Sequence, residues 1–106
     1  MQLRPDPVSY IFNTGIYSNG ASGSEFTNVT IQNCSVTDFD TGIYLYYTRD
    51  SFVHDSAANS NDVNGFYVRF SDNNTLNNVS AGSNAGGGGG YGIFVASSQY
   101  NRFYNV

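Results

Sequence analysis

Charged residues are scarce in this sequence. They make up 11% of its 106 residues, and the four basic residues are all arginines. The formal net charge of −4 argues against a nucleic-acid-binding surface, because such surfaces are basic. The low charge also argues against a disordered chain, which carries more charge and fewer aromatic residues than the 9 tyrosines and 8 phenylalanines found in this sequence.

The sequence also has little cysteine and no long apolar run. Cys34 is the only cysteine, which excludes an intrachain disulfide and a zinc site built from several cysteines. No apolar run reaches the length of a membrane helix or a signal peptide, so we expect no membrane insertion. Asparagine, serine, glycine and threonine instead separate short apolar clusters, a pattern typical of many short strands.

Two motifs repeat along the chain with nearly the same period. The first is a glycine followed by apolar and aromatic residues, with the glycines spaced by 27, 23 and 27 residues. The second is centred on an apolar anchor, and these anchors are spaced by 22, 23 and 27 residues. The glycines are Gly15, Gly42, Gly65 and Gly92, and the anchors are Ile31, Val53, Leu76 and Phe103.

A base period of 22–23 residues with insertions selects the architecture. A coil of this length holds three short strands joined by turns, whereas leucine-rich repeats need a leucine consensus that is missing. One insertion is predicted in residues 19–24, and the other is the glycine run at 86–90. We therefore predict an all-β fold, a parallel β-helix (β-solenoid) of about four coils over residues 15–106, preceded by an N-terminal arm or cap over residues 1–14.

The two-residue alternation of strands predicts which side chains form the core. Ile43 and Leu45 are expected to point inward and Tyr44 outward. The same parity places further residues inside: Phe66, Val68, Ile93, Val95, Val29, Ile31, Val53, Leu76 and Phe103. Stacked coils would bring like residues to within about 4.8 Å of each other along the axis.

An asparagine or aspartate follows each anchor of the second motif by two residues. These positions are Asn33, Asp55, Asn78 and Asn105. Asn and Asp tolerate left-handed backbone geometry, and amides stacked in register bond their neighbours above and below. We predict that they form an asparagine ladder with a structural role.

The combined pattern resembles the parallel β-helix repeat of the pectate-lyase-like superfamily. It is fullest from Gly65 to Val79, where Phe66, Val68, Ser71, Asn74, Leu76 and Asn78 match the repeat. The nearest resemblance is to the carbohydrate-binding and sugar-hydrolase (NosD-like) repeats. This resemblance implies a right-handed single-stranded parallel β-helix and an extracellular or cell-surface location. It does not choose among lyases, glycosidases, adhesins and structural proteins, because one fold hosts many functions.

An outward aromatic row is the strongest candidate for a contact surface. One ring comes from each coil, at Tyr17, Tyr44, Tyr67 and Phe94, and Tyr46, Tyr47 and Phe70 lie nearby in the sequence. Such rings can stack on sugars or on a second solenoid, or they can simply stabilise the stacked strands. The sequence leaves both interpretations open.

Carboxylates are the candidates for catalysis or for metal binding. Paired carboxylates would serve acid catalysis on a polysaccharide, and the possible pairs are Asp38 with Asp40 and Asp50 with Asp72. Asp38 and Asp40 are also a weak calcium candidate, because calcium prefers clustered oxygen ligands. Arg49 and Arg69 lie in similar regions. We assign no catalytic residue and interpret these groups as solvated surface charges, with no cofactor required.

Three functions remain open from the sequence. The first, which we prefer, is a structural solenoid of an extracellular or cell-surface assembly that stacks end to end or laterally through uncapped coils and exposed aromatics. The second is a carbohydrate-binding module, and the third is a fragment of a polysaccharide-active enzyme. The expected partners are accordingly further β-helix coils or a second copy of the chain, with a polysaccharide as the alternative.

Overall fold

The computed structural model describes residues 2–3, 14–84 and 91–106. Most of the predicted arm or cap at residues 1–14, and the whole glycine run at 86–90, lie outside the described residues. No helix in the described part of the chain is long and apolar enough to cross a bilayer. All secondary-structure elements of the described residues are strands, joined by turns. They are β1 Gln2–Leu3, β2 Thr14–Asn19, β3 Phe26–Thr27, β4 Thr30–Gln32, β5 Ser35–Val36, β6 Thr41–Tyr46, β7 Thr48–Arg49, β8 Phe52–Ala58, β9 Asn64–Arg69, β10 Thr75–Ser80, β11 Tyr91–Ala96 and β12 Arg102–Tyr104.

Every strand pairs in parallel with strands of the neighbouring coil. One sheet has four strands in the order β2-β6-β9-β11. A second sheet runs β1-β5-β8-β10-β12, with β4 also pairing with β8, and a short sheet joins β3 and β7. Because the strand order follows the chain from coil to coil, the backbone winds as a parallel β-solenoid. The predicted fold class is confirmed.

The register stacks equivalent apolar residues on top of one another. Val53 pairs with Ile31 on one side and with Leu76 on the other. In the four-stranded sheet, Ile43 pairs with both Ile16 and Phe66. These columns form the core, in which burial of apolar surface stabilises the fold by about 25 cal/mol per Å².

Burial decreases in the last coil. Phe103 and Val95 continue the inward columns in register, as the alternation predicts. They are nevertheless 38% and 43% exposed, because described coils cover them on one side only. The predicted alternation therefore places both residues in the correct strand register, but their side chains are not buried.

The coils turn at residues with left-handed backbone geometry, and these residues also stack in columns. Fourteen non-glycine residues of the described chain have positive φ. They fall into four columns at recurring corners: Asn28, Asp50, Asn73 and Tyr100; Asn33, Asp55, Asn78 and Asn105; Asp38, Ser60 and Ser83; Tyr47, Phe70 and Ser97. Most are Asn, Asp or Ser, and Asn and Asp are the side chains that accept this conformation most readily.

The repeated glycines serve close packing rather than a left-handed turn. Gly42 and Gly65 have no positive φ. A Cβ built on Gly65 would lie 2.6 Å from the carbonyl oxygen of Ala58 and 2.7 Å from that of Gly92. Only glycine allows the backbone of successive coils to approach this closely.

Candidate functional site

Asparagine ladders run through the interior of the solenoid. Asn74 is 1% exposed, and its Oδ1 accepts the N–H of Ser51 at 3.1 Å while its Nδ2 donates to the carbonyl of Thr48 at 2.9 Å. One coil later Asn101 repeats both contacts, accepting from the N–H of Asn74 at 2.9 Å and donating to the carbonyl of Ser71. Each amide therefore satisfies backbone groups that the turns leave without a strand partner.

A second interior ladder lies at another corner. Asn61 accepts the N–H of Phe39 at 3.1 Å, and Asn84 accepts the N–H of Asn61 at 2.8 Å. A hydroxyl column behaves in the same way, since Ser71 accepts the N–H of Thr48 at 3.0 Å. No buried side-chain nitrogen or oxygen among the described residues lacks a partner.

The sequence predicted an asparagine ladder, and the solenoid contains asparagine ladders, but the buried ones use other residues. The interior ladders are built from Asn61 with Asn84 and from Asn74 with Asn101, none of which belongs to the predicted ladder. The sequence does contain a signal for one interior ladder. The position immediately before the second-motif strand is polar in three coils, where it is Ser51, Asn74 or Asn101.

The predicted ladder residues form a column on the outer surface. Asn33, Asp55, Asn78 and Asn105 all have positive φ and are exposed. Asn78 donates its amide to Asp55 at 2.7 Å. His54 Nδ1 lies 3.1 Å from the other carboxylate oxygen of Asp55. The hydrogen bond from Asn78, and then that from His54, hold the pKa of Asp55 below its usual value.

This column borders an open groove of about 870 Å³ along the solenoid. All four column residues, each with positive φ, line this groove. Small side chains such as Ser35, Ala57 and Ser80 line the groove beside the column. Cys34 is half-buried at this groove and packs against the core. The groove thus repeats amide and carboxylate groups once per coil.

The aromatic row is a line of ring contacts on the outer face of the four-stranded sheet, with two stacked pairs and a last pair tilted by 55°. The ring centroids of Tyr17 and Tyr44 are 4.8 Å apart, those of Tyr44 and Tyr67 are 4.6 Å apart, and those of Tyr67 and Phe94 are 5.0 Å apart. The first two pairs are nearly parallel, with interplanar angles of 23° and 9°. The flat faces of Tyr44 therefore lie against neighbouring rings, and its edge is what remains for solvent.

A second aromatic group continues the row toward the next corner. Tyr47 and Phe70 stack at 5.0 Å with an interplanar angle of 13°, although both have the positive φ that bulky residues rarely adopt. Tyr46 meets Tyr44 and Tyr47 edge to face. The guanidinium of Arg69 lies 4.9 Å from the centre of the Phe70 ring. We call these seven rings the aromatic face: Tyr17, Tyr44, Tyr46, Tyr47, Tyr67, Phe70 and Phe94.

Partial burial within this stack changes the chemistry of one phenol. Burial raises the pKa of Tyr44, although a hydrogen bond with Arg69 acts in the opposite direction. Tyr44 therefore stays neutral and keeps its hydroxyl proton over the physiological range.

The carboxylates of Asp50 and Asp72 each accept a hydrogen bond from a different partner. Asn73, not Asp72, follows Asp50 in the stack and donates its amide to it at 2.6 Å. The Asp72 carboxylate instead accepts the N–H of Gln99 at 2.7 Å. In the described part of the chain, no group of three or more His, Cys, Asp or Glu side chains could hold a metal ion. Calcium at Asp38 and Asp40 stays an untested prediction.

A small corner pocket of about 180 Å³ combines charge and aromatic rings. Tyr47 and Phe70 line it together with Arg49, Asp72, Glu25 and Ser97. Arg49 also lies 3.5 Å from the exposed carboxylate of Asp50. The pocket is shallow and polar, and its ring walls are those of the aromatic face.

The comparison with known families identifies the fold. Neither a curated protein nor a solved structure matches the chain. The family model described as "Right handed beta helix region" matches residues 8–106, which is nearly the whole sequence. This match agrees with the parallel coils and in-register columns described above, and it adds their handedness. The chain belongs to the right-handed β-helix family.

Proposed function

We propose that this chain is a structural β-solenoid of an extracellular or cell-surface assembly, and that it associates laterally with other solenoids through its aromatic face. The geometry of the aromatic face supports this proposal best. Ring contacts at centroid distances of 4.6–5.0 Å along the axis join one coil to the next. Aromatic pairs contribute about 0.5–1.5 kcal/mol each beyond the area they bury, so the row stabilises the rod itself.

The exposed ring edges supply the contact surface. Tyr17 remains 47% exposed, and the row is continuous across all four strands of its sheet. Any second parallel solenoid repeats with the same spacing of about 4.8 Å. Its side-chain columns can therefore interdigitate with these ring edges along the whole length, which a partner with a different repeat cannot do.

Self-association tests the proposal. Sedimentation velocity over a range of protein concentrations, together with electron microscopy, is expected to show larger species or filaments as concentration rises. The variant Tyr17→Ser is expected to weaken association, because it removes the most exposed ring of the stack. Tyr100→Ser is the matched control, since Tyr100 is 77% exposed but makes no ring contact in the described chain. A wild-type protein that stays monomeric at every concentration would contradict the proposal.

A second candidate is a polysaccharide-binding module, and the outer groove favours it. Stacking already covers the flat faces of Tyr44, which sugars would otherwise use. The groove instead offers the planar polar groups of Asp55 and Asn78 in successive coils, and such groups suit sugar hydroxyls.

A glycan array distinguishes the two candidates. Under the second candidate, binding is lost in Asn78→Ala and kept in Tyr67→Ala. If glycan binding were lost in Tyr67→Ala but kept in Asn78→Ala, the sugar would bind at the aromatic face instead of the groove. An absence of glycan binding by the folded wild-type protein would remove this candidate.

A further inference from the structure

Three tyrosines of successive coils lie face to face in the aromatic row. The ring centroids are 4.8 Å apart for Tyr17 and Tyr44 and 4.6 Å apart for Tyr44 and Tyr67. Paired strands hold these residues in register on both sides of Tyr44. Because each coil repeats the last in register, the carbons beside each hydroxyl recur along the stack at a spacing of about 4.8 Å.

This arrangement suits one covalent reaction. One-electron oxidation of a phenol with loss of its proton gives a phenoxyl radical, whose unpaired electron is shared with the ring carbons beside the hydroxyl. Two such radicals join through a carbon–carbon bond between those carbons, and the rings regain their hydroxyls by proton transfer. Two tyrosines thus lose two electrons and two protons, and hydrogen peroxide takes them up to give two waters.

We propose that Tyr17, Tyr44 and Tyr67 form an oxidative cross-linking site, at which a haem peroxidase with hydrogen peroxide joins neighbouring coils through dityrosine bonds. The oxidant reaches the stack through Tyr17, whose edge is exposed. Coupling between Tyr17 and Tyr44 closes a covalent loop across one full coil. The same coupling between Tyr44 and Tyr67 links the next pair of coils covalently.

The other described tyrosines are poorer partners for intramolecular coupling. Tyr91 packs against Phe94, which has no phenol. Tyr46 and Tyr47 meet at an interplanar angle of 78°, so their reactive carbons do not face each other. Tyr100 is the most exposed of all, and no ring contact is described for it. If exposure alone decided which tyrosines couple, Tyr100 would react most. If stacking decides it, Tyr17, Tyr44 and Tyr67 react most.

The test is peroxidase treatment of dilute folded protein, followed by isolation of the monomer and peptide mapping by mass spectrometry. The expected products are peptides linked through Tyr17–Tyr44 and Tyr44–Tyr67, each lighter by two hydrogen atoms, with dityrosine fluorescence. Because a stacked partner reacts at a far higher effective concentration than a second molecule, these links should exceed all others by at least about tenfold.

Matched variants make the test decisive. Tyr44→Phe keeps the ring in the stack, as circular dichroism can verify, but is expected to abolish both links. Tyr100→Phe is expected to leave them unchanged. Treatment in denaturing urea should scatter the links over many tyrosine pairs. The proposal is overturned if the folded protein gives mainly links through Tyr100 or between molecules, or if it gives no dityrosine where a free tyrosine derivative couples readily.

Discussion

Replacing Asn74 tests whether the interior ladder or the outer column holds the coils together. In Asn74→Ala, the buried N–H of Ser51 and the carbonyl of Thr48 both lose their side-chain partner. Each buried polar group left without a partner costs about 1–3 kcal/mol. We therefore expect the free energy of unfolding to fall by about 4 kcal/mol, a large part of the 5–15 kcal/mol typical of a domain.

A graded substitution at the same position sharpens the expectation. At the equivalent position one coil earlier stands Ser51, whose hydroxyl accepts the N–H of Val29 at 2.9 Å. In Asn74→Ser, a hydroxyl can likewise accept the N–H of Ser51, while the carbonyl of Thr48 still loses its donor. The expected loss is therefore about 2 kcal/mol, roughly half that of the alanine variant.

Asn78→Gly is the control in the outer column. Glycine keeps the positive φ without strain, so the substitution removes mainly the exposed hydrogen bond to Asp55. Its expected cost is about 0.5–1 kcal/mol. Urea unfolding followed by circular dichroism measures all three variants, and an unchanged slope indicates that only stability has changed. Equal losses in Asn74→Ala and Asn78→Gly would refute the assignment of the interior ladder.

Three further perturbations follow from the same geometry. Gly65→Ala places a Cβ 2.6 Å from a backbone oxygen and should lower the free energy of unfolding by about 3 kcal/mol, as thermal unfolding can show. Val53→Ala removes two methyl groups from a side chain that is 1% exposed, and it should lower the free energy of unfolding by about 2–3 kcal/mol, as urea unfolding can show. The lowered pKa of Asp55 means that its contacts stabilise the fold above the ordinary carboxyl value of 3.8 and lose that contribution as the pH falls through the folded-state pKa. Asp55→Asn should therefore flatten the acid limb of the stability profile, and an unchanged profile would contradict this.

The apolar core could be predicted from the sequence because two simple periods coincide. Strand alternation placed Ile43 and Leu45 inside, and the coil period stacked Val53 on Leu76. Strand alternation involves adjacent residues, and the coil period involves residues only one coil apart. Hydrophobic burial holds side chains to both rules wherever a residue has a coil above it and a coil below it. Phe103 shows their limit, since its direction follows the pattern but its burial depends on what covers the last coil.

The polar architecture was harder to predict, because asparagine serves two purposes in adjacent positions. Asn73 takes a left-handed corner and is exposed, while Asn74 turns inward and is buried. Composition cannot tell them apart, and the distinction lies in position, because Asn74 immediately precedes the second-motif strand of its coil. The positive φ of Tyr47 and Phe70 was likewise invisible to sequence rules, which expect Asn or Gly at such corners.

The most direct measurement is nuclear magnetic resonance of the isotope-labelled protein, which reports pairs of protons close in space. If coils of 22–27 residues lie on one another in parallel register, cross-peaks must join Val53 to both Ile31 and Leu76, and must join Ile43 to Phe66. Strand neighbours about 4.8 Å apart fall well within range. Cross-peaks that instead join Val53 only to residues nearby in sequence, or to antiparallel partners, would contradict the solenoid and everything inferred from its columns.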